Sequence, residues 1–150
     1  MKKIAWNDSL SVGIDAVDGQ HQIWIARYNN VVAAIGSAGS TAPVVSTLDF
    51  LIDYTEMHFA TEEGFMRESG YPDLEAHKAK HEELRRAVAD LGDDFEEEGS
   101  TYALGEAVET LLGNWLIDHI QSTDQFFGTY VREKGIVLTL PAGDEGVPDE

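Results

Sequence analysis

The chain has 150 residues, a length typical of a single domain, and a formal net charge of −18 from 28 acidic and 10 basic residues. A surface this negative repels nucleic acid and anionic lipid, so neither is expected as a partner. The absence of cysteine excludes disulfides and thiolate metal ligands. Imidazole and carboxylate remain as metal ligands, and they suit iron, manganese, zinc or copper.

The N-terminus has two lysines, Lys2 and Lys3, but no apolar signal core follows them. No other stretch approaches the roughly 20 apolar residues that a membrane span requires. We therefore expect a cytoplasmic protein that does not contact a membrane.

The first two predicted helices each present an apolar stripe. The first runs from about Gly19 to Ile35, with Asp18 as its expected N-cap and Gly36 at its end. Its inner face comprises His21, Trp24, Ile25, Tyr28, Val31, Val32 and Ile35. The second begins near Ser40 or Thr41 and ends before Gly70. Its stripe comprises Leu48, Leu51, Ile52, Thr55, Phe59, Phe65 and Met66, with His58 and Glu62 inside it.

The third and fourth predicted helices follow turn residues. The third starts after Pro72 with Asp73 as N-cap. Its apolar positions alternate steps of three and four, which is typical of a bundle seam: Leu74, His77, His81, Leu84, Val88, Leu91 and Phe95. The fourth follows Gly99 and Ser100 and continues to Lys134, before Gly135. Its inner face comprises Leu104, Val108, Leu111, Leu112, Trp115 and His119.

Short links between four such helices predict an all-α fold, an up-down-up-down antiparallel four-helix bundle. Residues 1–18 lack helical periodicity and are expected to form a non-helical arm over one end of the bundle. The arm and the bundle together would make one domain over residues 1–135. Residues 136–150 are expected to form a short, partly disordered C-terminal tail.

All five histidines share a spacing pattern with carboxylates. His58 and Glu62 are four residues apart, as are His77 and His81, and residues at this spacing lie on one face of a helix. A single histidine on an apolar stripe, such as His21, is usually a hydrogen-bonded core residue. The pairs are different, because a buried carboxylate such as Glu62 needs a compensating cation.

The number of candidate ligands predicts two metal ions. Five imidazoles and two carboxylates are too many for one ion. Two octahedral ions would offer about twelve positions. Five histidines, two bridging carboxylates and a bridging oxide or hydroxide would fill all but one of them.

The spacing of His119 and Asp124 predicts an irregular helix. They are five residues apart and would diverge by about 140° on a regular α-helix. For both to reach one site, the helix must bulge, kink or end between Ile120 and Asp124.

Three motifs resemble those of the hemerythrin family, and of bacterial hemerythrins in particular. They are H-F-A-T-E-E from His58 to Glu63, G-Y-P-D-L-E-A-H-K-A-K-H from Gly70 to His81, and N-W-L-I-D-H-I-Q-S-T-D from Asn114 to Asp124. V-G-I-D-A-V-D-G-Q-H, from Val12 to His21, is similar to the family's N-terminal segment. The resemblance covers roughly residues 4–132 and leaves out the tail.

This resemblance implies a non-haem di-iron centre with an oxo or hydroxo bridge. His77, His81 and His119 would bind one iron, His21 and His58 would bind the other, and Glu62 and Asp124 would bridge both. The second iron would then have the open position. Glu63 should point about 100° away from Glu62 around the helix, and we expect it to be solvated rather than a ligand.

The ligand set favours reversible O2 binding without catalytic turnover. Ferritin-like di-iron enzymes use four Glu and two His, and here imidazole predominates instead. The expected role is oxygen storage, delivery or sensing, with an O2-consuming enzyme or another protein as a candidate partner. The alternatives are a di-iron enzyme (an oxidase, a peroxidase or a nitric oxide-handling protein) and simple iron buffering.

Three residues are candidates for the wall of an O2 pocket. Leu116 and Trp115 are three and four residues before His119, and Ile25 lies one turn after His21. A leucine at the position of Leu116 resembles the family's pocket wall. For Trp115 and Ile25, plain core packing is an equal alternative.

Overall fold

Four helical rods make up most of the computed structural model, which describes residues 3–36, 41–99 and 101–139. Helix α1 spans Asp15–Gly36, α2 spans Thr41–Ser69, α3 spans Leu74–Glu98, and α4 is a continuous rod over residues 102–134. The described ranges contain no strand. Helix α1 packs on α2, α2 on α3, and α4 contacts both α3 and α1. The predicted antiparallel four-helix bundle is confirmed.

The ends of the helices follow from local residues. Gly70 and Gly135 have φ angles of +69° and +66°, in the left-handed region that glycine adopts without strain. Thr101 caps α4 by accepting a hydrogen bond from the backbone N–H of Leu104, at 3.1 Å. Asp73 occupies the predicted N-cap position of α3, but its side chain makes no capping hydrogen bond.

The first helix begins at Asp15, four residues before the predicted start at Gly19. Asp18 is therefore inside the first turn and is not the N-cap. Its carboxylate accepts hydrogen bonds from Ser11 Oγ at 2.5 Å and from Val12 N at 2.8 Å. The carboxylate accepts from a backbone N–H as expected of a cap, but that N–H and the hydroxyl beside it belong to the arm. The arm itself contains a short 3-10 turn, Asp8–Leu10, so it is not wholly non-helical.

Helix α4 contains two π-helical segments, Val108–Gly113 and His119–Thr123. The second confirms the predicted irregularity between Ile120 and Asp124. The first was not predicted, and it displaces Leu111 from the inner face to 55 % exposure. A π-turn holds more residues than an α-turn, so the helix face rotates along the segment. Leu112 is buried there, and the prediction for Leu111 was wrong.

The inner faces of the four helices form one continuous apolar core. Its largest fully buried side chains are Trp24, Tyr28, Phe59, Phe95 and Phe127. Within the described ranges, no helix is both long enough and apolar enough to cross a membrane. The predicted disorder at the end of the C-terminal tail concerns residues 140–150, which lie outside the described residues.

The arm is held on α4 by a close backbone approach, and this approach can be tested. A Cβ on Gly128 would overlap the backbone carbonyl of Val12, to which the Arg132 guanidinium donates a hydrogen bond at 2.6 Å. We expect Gly128→Ala to lower the free energy of unfolding by about 1–3 kcal/mol, because the arm must move away. Urea unfolding followed by circular dichroism measures the change.

Gly19→Ala is the matched control, since a Cβ on this helical glycine meets no atom within 4 Å. It should raise the free energy of unfolding by about 0.5–1 kcal/mol, because alanine loses less backbone entropy on folding. If Gly128→Ala is as stable as the parent, the arm is not anchored through this contact.

Candidate metal centre

The side chains of all seven predicted ligands meet in the middle of the bundle. Helix α1 contributes His21, α2 contributes His58 and Glu62, α3 contributes His77 and His81, and α4 contributes His119 and Asp124. Each is at most 3 % exposed. Every helix therefore supplies at least one polar group to a site that water does not reach directly.

The seven side chains form two donor sets that share their carboxylates. One set, the three-His half-site, is His77, His81 and His119 with Glu62 and Asp124. The other, the two-His half-site, is His21 and His58 with the same Glu62 and Asp124. Within each set, one donor atom per residue lies within 4.8 Å of all the others. The same division of residues is the one that the family resemblance implies.

Each carboxylate turns one oxygen toward each half-site. Glu62 Oε1 lies 3.0 Å from Nε2 of both His77 and His81. Its other oxygen, Oε2, faces the two-His half-site, at 3.7 Å from His58 Nε2 and 3.9 Å from His21 Nε2.

Asp124 is arranged in the same way. Oδ1 lies 3.0 Å from Nε2 of His77 and of His119, and Oδ2 lies 3.0 Å from His21 Nε2. Both carboxylates are thus oriented as bridging ligands between two neighbouring points.

The donor atoms fit metal ions better than they fit one another. Four donor atoms are buried without a well-directed hydrogen bond: Nε2 of His21, Nε2 of His119 and both oxygens of Asp124. Each of the two nitrogens nevertheless lies only 3.0 Å from an oxygen of Asp124. Neighbouring ligands of an octahedral ion, each about 2.1 Å from it, are separated by about 3.0 Å. The lone pairs of these histidine and aspartate atoms converge at the spacing expected of ligands around one cation.

The electrostatics of the site also favour cations. Burial alone would raise the pKa of Glu62 and Asp124, but the imidazoles around them hold both below their usual range. Burial alone would lower the pKa of His77, but Asp124 and Glu62 raise it to about 10. Burial lowers the pKa of His58 to about 3. Some imidazoles thus hold protons that balance the two carboxylates, and metal ions can replace those protons.

Two further side chains orient the candidate ligands. The Nδ1–H of His58 donates to Gln20 Oε1, and the Nδ1–H of His81 donates to Glu63 Oε2, each at 2.7 Å. Gln20 is held in turn by a contact from its Nε2 to Met57 Sδ at 3.6 Å. Fixing Nδ1 as the protonated nitrogen leaves the Nε2 lone pair directed into the site.

The expectation that Glu63 is solvated was wrong, since this side chain is buried and only 8 % of the residue is exposed. A step of about 100° from Glu62 around α2 leads toward α3 rather than toward water. The sequence does contain one indication that Glu63 has a partner on α3. Arg85 lies one turn after His81, and its guanidinium is 3.7 Å from the Glu63 carboxylate. Gln20 was missed because neither its type nor its spacing distinguishes it from an ordinary helix residue.

Aromatic rings enclose the site on several sides. Trp24 lies 4.9 Å from the ring of His58 and 5.9 Å from that of His21, measured between centroids. Phe59 stacks on His81 at 3.7 Å, and Trp115 stacks on His119 at 4.3 Å. The predicted wall residues Leu116 and Ile25 are both buried in the core. Trp24 and Phe59 were missed because their positions on the stripe are those of ordinary core residues.

These features are those of a four-helix-bundle protein with a buried site that could hold cations. The family model described as the hemerythrin HHE cation binding domain matches residues 12–130. The chain therefore belongs to the hemerythrin family.

Named relatives support this assignment over most of the chain. A bacteriohemerythrin of Stenotrophomonas maltophilia is 36 % identical and covers 88 % of this chain and 84 % of its own length. Myohemerythrin-1 of Phascolopsis gouldii is 30 % identical, with coverages of 79 % and 87 %. A crystal structure of wild-type hemerythrin, 29 % identical, superimposes with a TM-score of 0.77 over 85 % of this chain and 97 % of that one.

Removing one bridging ligand should affect the site more than removing one histidine. We expect Glu62→Ala to abolish binding at both half-sites, because both use this carboxylate. His21→Ala should lose mainly the ion of the two-His half-site. Metal analysis of the purified variants measures metal ions per chain.

Asp53→Ala is the matched control, because this residue is an exposed carboxylate on the same helix as Glu62. It should retain the metal content of the parent. Equal loss from Glu62→Ala and His21→Ala would contradict the sharing of Glu62 between two ions.

Proposed function

We propose that the protein binds O2 reversibly at a non-haem di-iron centre with an oxo or hydroxo bridge. His77, His81 and His119 would hold one iron, His21 and His58 the other, and Glu62 and Asp124 would bridge the pair. The observation that carries this proposal is the inequality of the two donor sets around shared carboxylates. Membership of the hemerythrin family, whose domain binds non-haem iron and O2, supports it.

The inequality predicts where a small ligand enters. The three-His half-site offers five protein donors, and a shared bridging oxygen would complete six-fold coordination. The two-His half-site offers four, so the same bridge leaves one position open. We assign this position, next to His21 and His58, to O2.

The ligand chemistry favours binding over cleavage of the O–O bond. When bound, a ferrous pair would supply two electrons to O2 and recover them when O2 leaves. Five neutral imidazoles and only two carboxylates stabilise highly charged, oxidised iron less than a carboxylate-rich set does. The histidines thereby favour return of the electrons. Storage, delivery or sensing of oxygen follows from this behaviour, with an O2-consuming enzyme or another protein as the receiving partner.

The chain itself supplies the dry surroundings that reversibility needs. Trp24 packs against both histidines of the two-His half-site. Ile25 lies one turn after His21 and Leu116 one turn before His119, and both are buried. Apolar side chains at these positions exclude water and proton donors from a bound ligand. We assign Leu116, Trp115 and Ile25 to the pocket wall on this basis, together with Trp24.

The proposal predicts both metal content and gas exchange. Protein from iron-replete cells should contain two irons per chain and no required zinc or copper. The reduced protein should take up one O2 per chain, with a visible absorption band that appears in air and fades under argon through several cycles. Elemental analysis, oxygen uptake and absorption spectra measure these quantities.

Other outcomes would identify a different function. One metal ion per chain would contradict the dinuclear centre. Continuous O2 consumption in the presence of an electron donor would identify an oxidase, and peroxide consumption a peroxidase. Iron that loads slowly and partially, without an O2-dependent band, would indicate iron buffering.

The pocket wall can be tested separately at Leu116. We expect Leu116→Ser to retain both irons but to autoxidise several-fold faster than the parent, because a hydroxyl and its water can deliver protons to the bound ligand. The decay of the oxygenated absorption band in air measures this rate. Leu112→Ser is the matched control, since Leu112 is equally buried but lies one turn further from His119. If both variants autoxidise at the same rate, Leu116 has no special place in the pocket.

A further inference from the structure

The two half-sites differ in the groups that orient their histidines. On the two-His side, His58 donates its Nδ1–H to the neutral amide of Gln20. On the three-His side, His81 donates its Nδ1–H to the carboxylate of Glu63. The two hydrogen bonds have the same length, 2.7 Å, so the difference between them is one of charge rather than of geometry.

The charge of Glu63 is only partly neutralised by its neighbours. Arg85 is the cation beside it, but the guanidinium is held mainly by Glu56, with Nε at 2.9 and 3.1 Å from the Glu56 oxygens. The distance from Arg85 to Glu63 is longer, 3.7 Å. Glu63 therefore retains negative charge toward His81, in a buried place where water screens it weakly.

Packing fixes His81 independently of this charge. The ring of Phe59 stacks on the imidazole with a centroid distance of 3.7 Å and an interplanar angle of 4°. The guanidinium of Arg85 lies 5.3 Å from the Phe59 centroid. A glutamine at position 63 could still accept the Nδ1–H. Replacing the carboxylate by an amide would thus remove charge while leaving the ring in place.

We propose that Glu63 is a positioning residue that gives the three-His half-site the higher metal affinity of the two. This inference rests on the proposed di-iron function. A carboxylate that accepts the Nδ1–H of a ligating histidine increases the basicity of its Nε2. Its negative charge also attracts the cation. The three-His half-site has one more protein donor as well. The chain accordingly fills this half-site first and releases metal from the two-His half-site first.

The order of release can be measured on the loaded, full-length protein. The reduced, iron-loaded chain is dialysed without oxygen against increasing concentrations of an iron(II) chelator, and iron per chain is determined at each step. We expect two steps, with a plateau at one iron per chain. His21→Ala should lack the weak step and retain the tight one, which assigns the steps to the half-sites.

Glu63→Gln isolates the contribution of the charge. We expect the tight step to move by about 10–100-fold in chelator concentration toward the weak step, while the weak step stays in place. Gln20→Glu is the reciprocal variant, since it places a carboxylate on His58, and it should strengthen the weak step. Circular dichroism checks that both variants are folded. The second variant still tests the proposal if the first does not fold.

Several results would overturn the inference. A Glu63→Gln release curve that superimposes on the parent curve would show that the charge has no effect. An equal shift of both steps would show that Glu63 acts on the stability of the bundle. Release of both irons from the parent in one step would contradict the order. Failure of the parent to hold two irons would instead overturn the proposed function, so the two failures are distinguishable.

Discussion

The structure depends on the burial of two carboxylates, Glu62 and Asp124, among five imidazoles in the middle of a helical bundle. Burying an uncompensated carboxylate costs several kcal/mol. Each of the four helices places at least one histidine against this pair, so the polar site joins the same elements as the apolar core. The site offers cations two buried carboxylates, and metal ions can replace the protons that balance them. Stability of the bundle and affinity for metal are therefore coupled in this fold.

This coupling explains the irregularity of α4. A regular helix would turn Asp124 about 140° away from His119, and one carboxylate oxygen could not then face each half-site. The π-helical segment His119–Thr123 absorbs the extra residue and places both side chains in the site. π-helical turns are rare, and they lie frequently at functional sites. The segment is thus a local distortion that the ligand arrangement maintains.

The sequence predicts this much because its signals are periodic and chemically specific. The stripes of α2 and α3 locate the helices, and histidines with carboxylates inside those stripes locate the donor sets. The same approach fails for groups whose role depends on a neighbouring helix. Glu63 looks solvated on its own helix, and only the position of α3 shows that it contacts His81. The position of the arm cannot be inferred from periodicity. Asp18 is therefore predicted to be a helix cap, although its carboxylate binds the backbone N–H of Val12 in the arm.

The groups missed by sequence reasoning, the amide of Gln20 and the buried carboxylate of Glu63, add to the inequality of the two half-sites. The seven candidate ligands alone already form two unequal donor sets, five residues against four, with two carboxylates shared between them. Asymmetry arises from the third histidine and, behind the ligands, from the carboxylate of Glu63 opposite the amide of Gln20. Under the proposed di-iron function, one half-site holds its ion firmly while the other keeps the looser coordination that exchange of a small ligand needs. The orienting groups are set by helix packing, so they can differ between chains that share every ligand. Such differences would change the metal affinity of each half-site while the ligands stay the same.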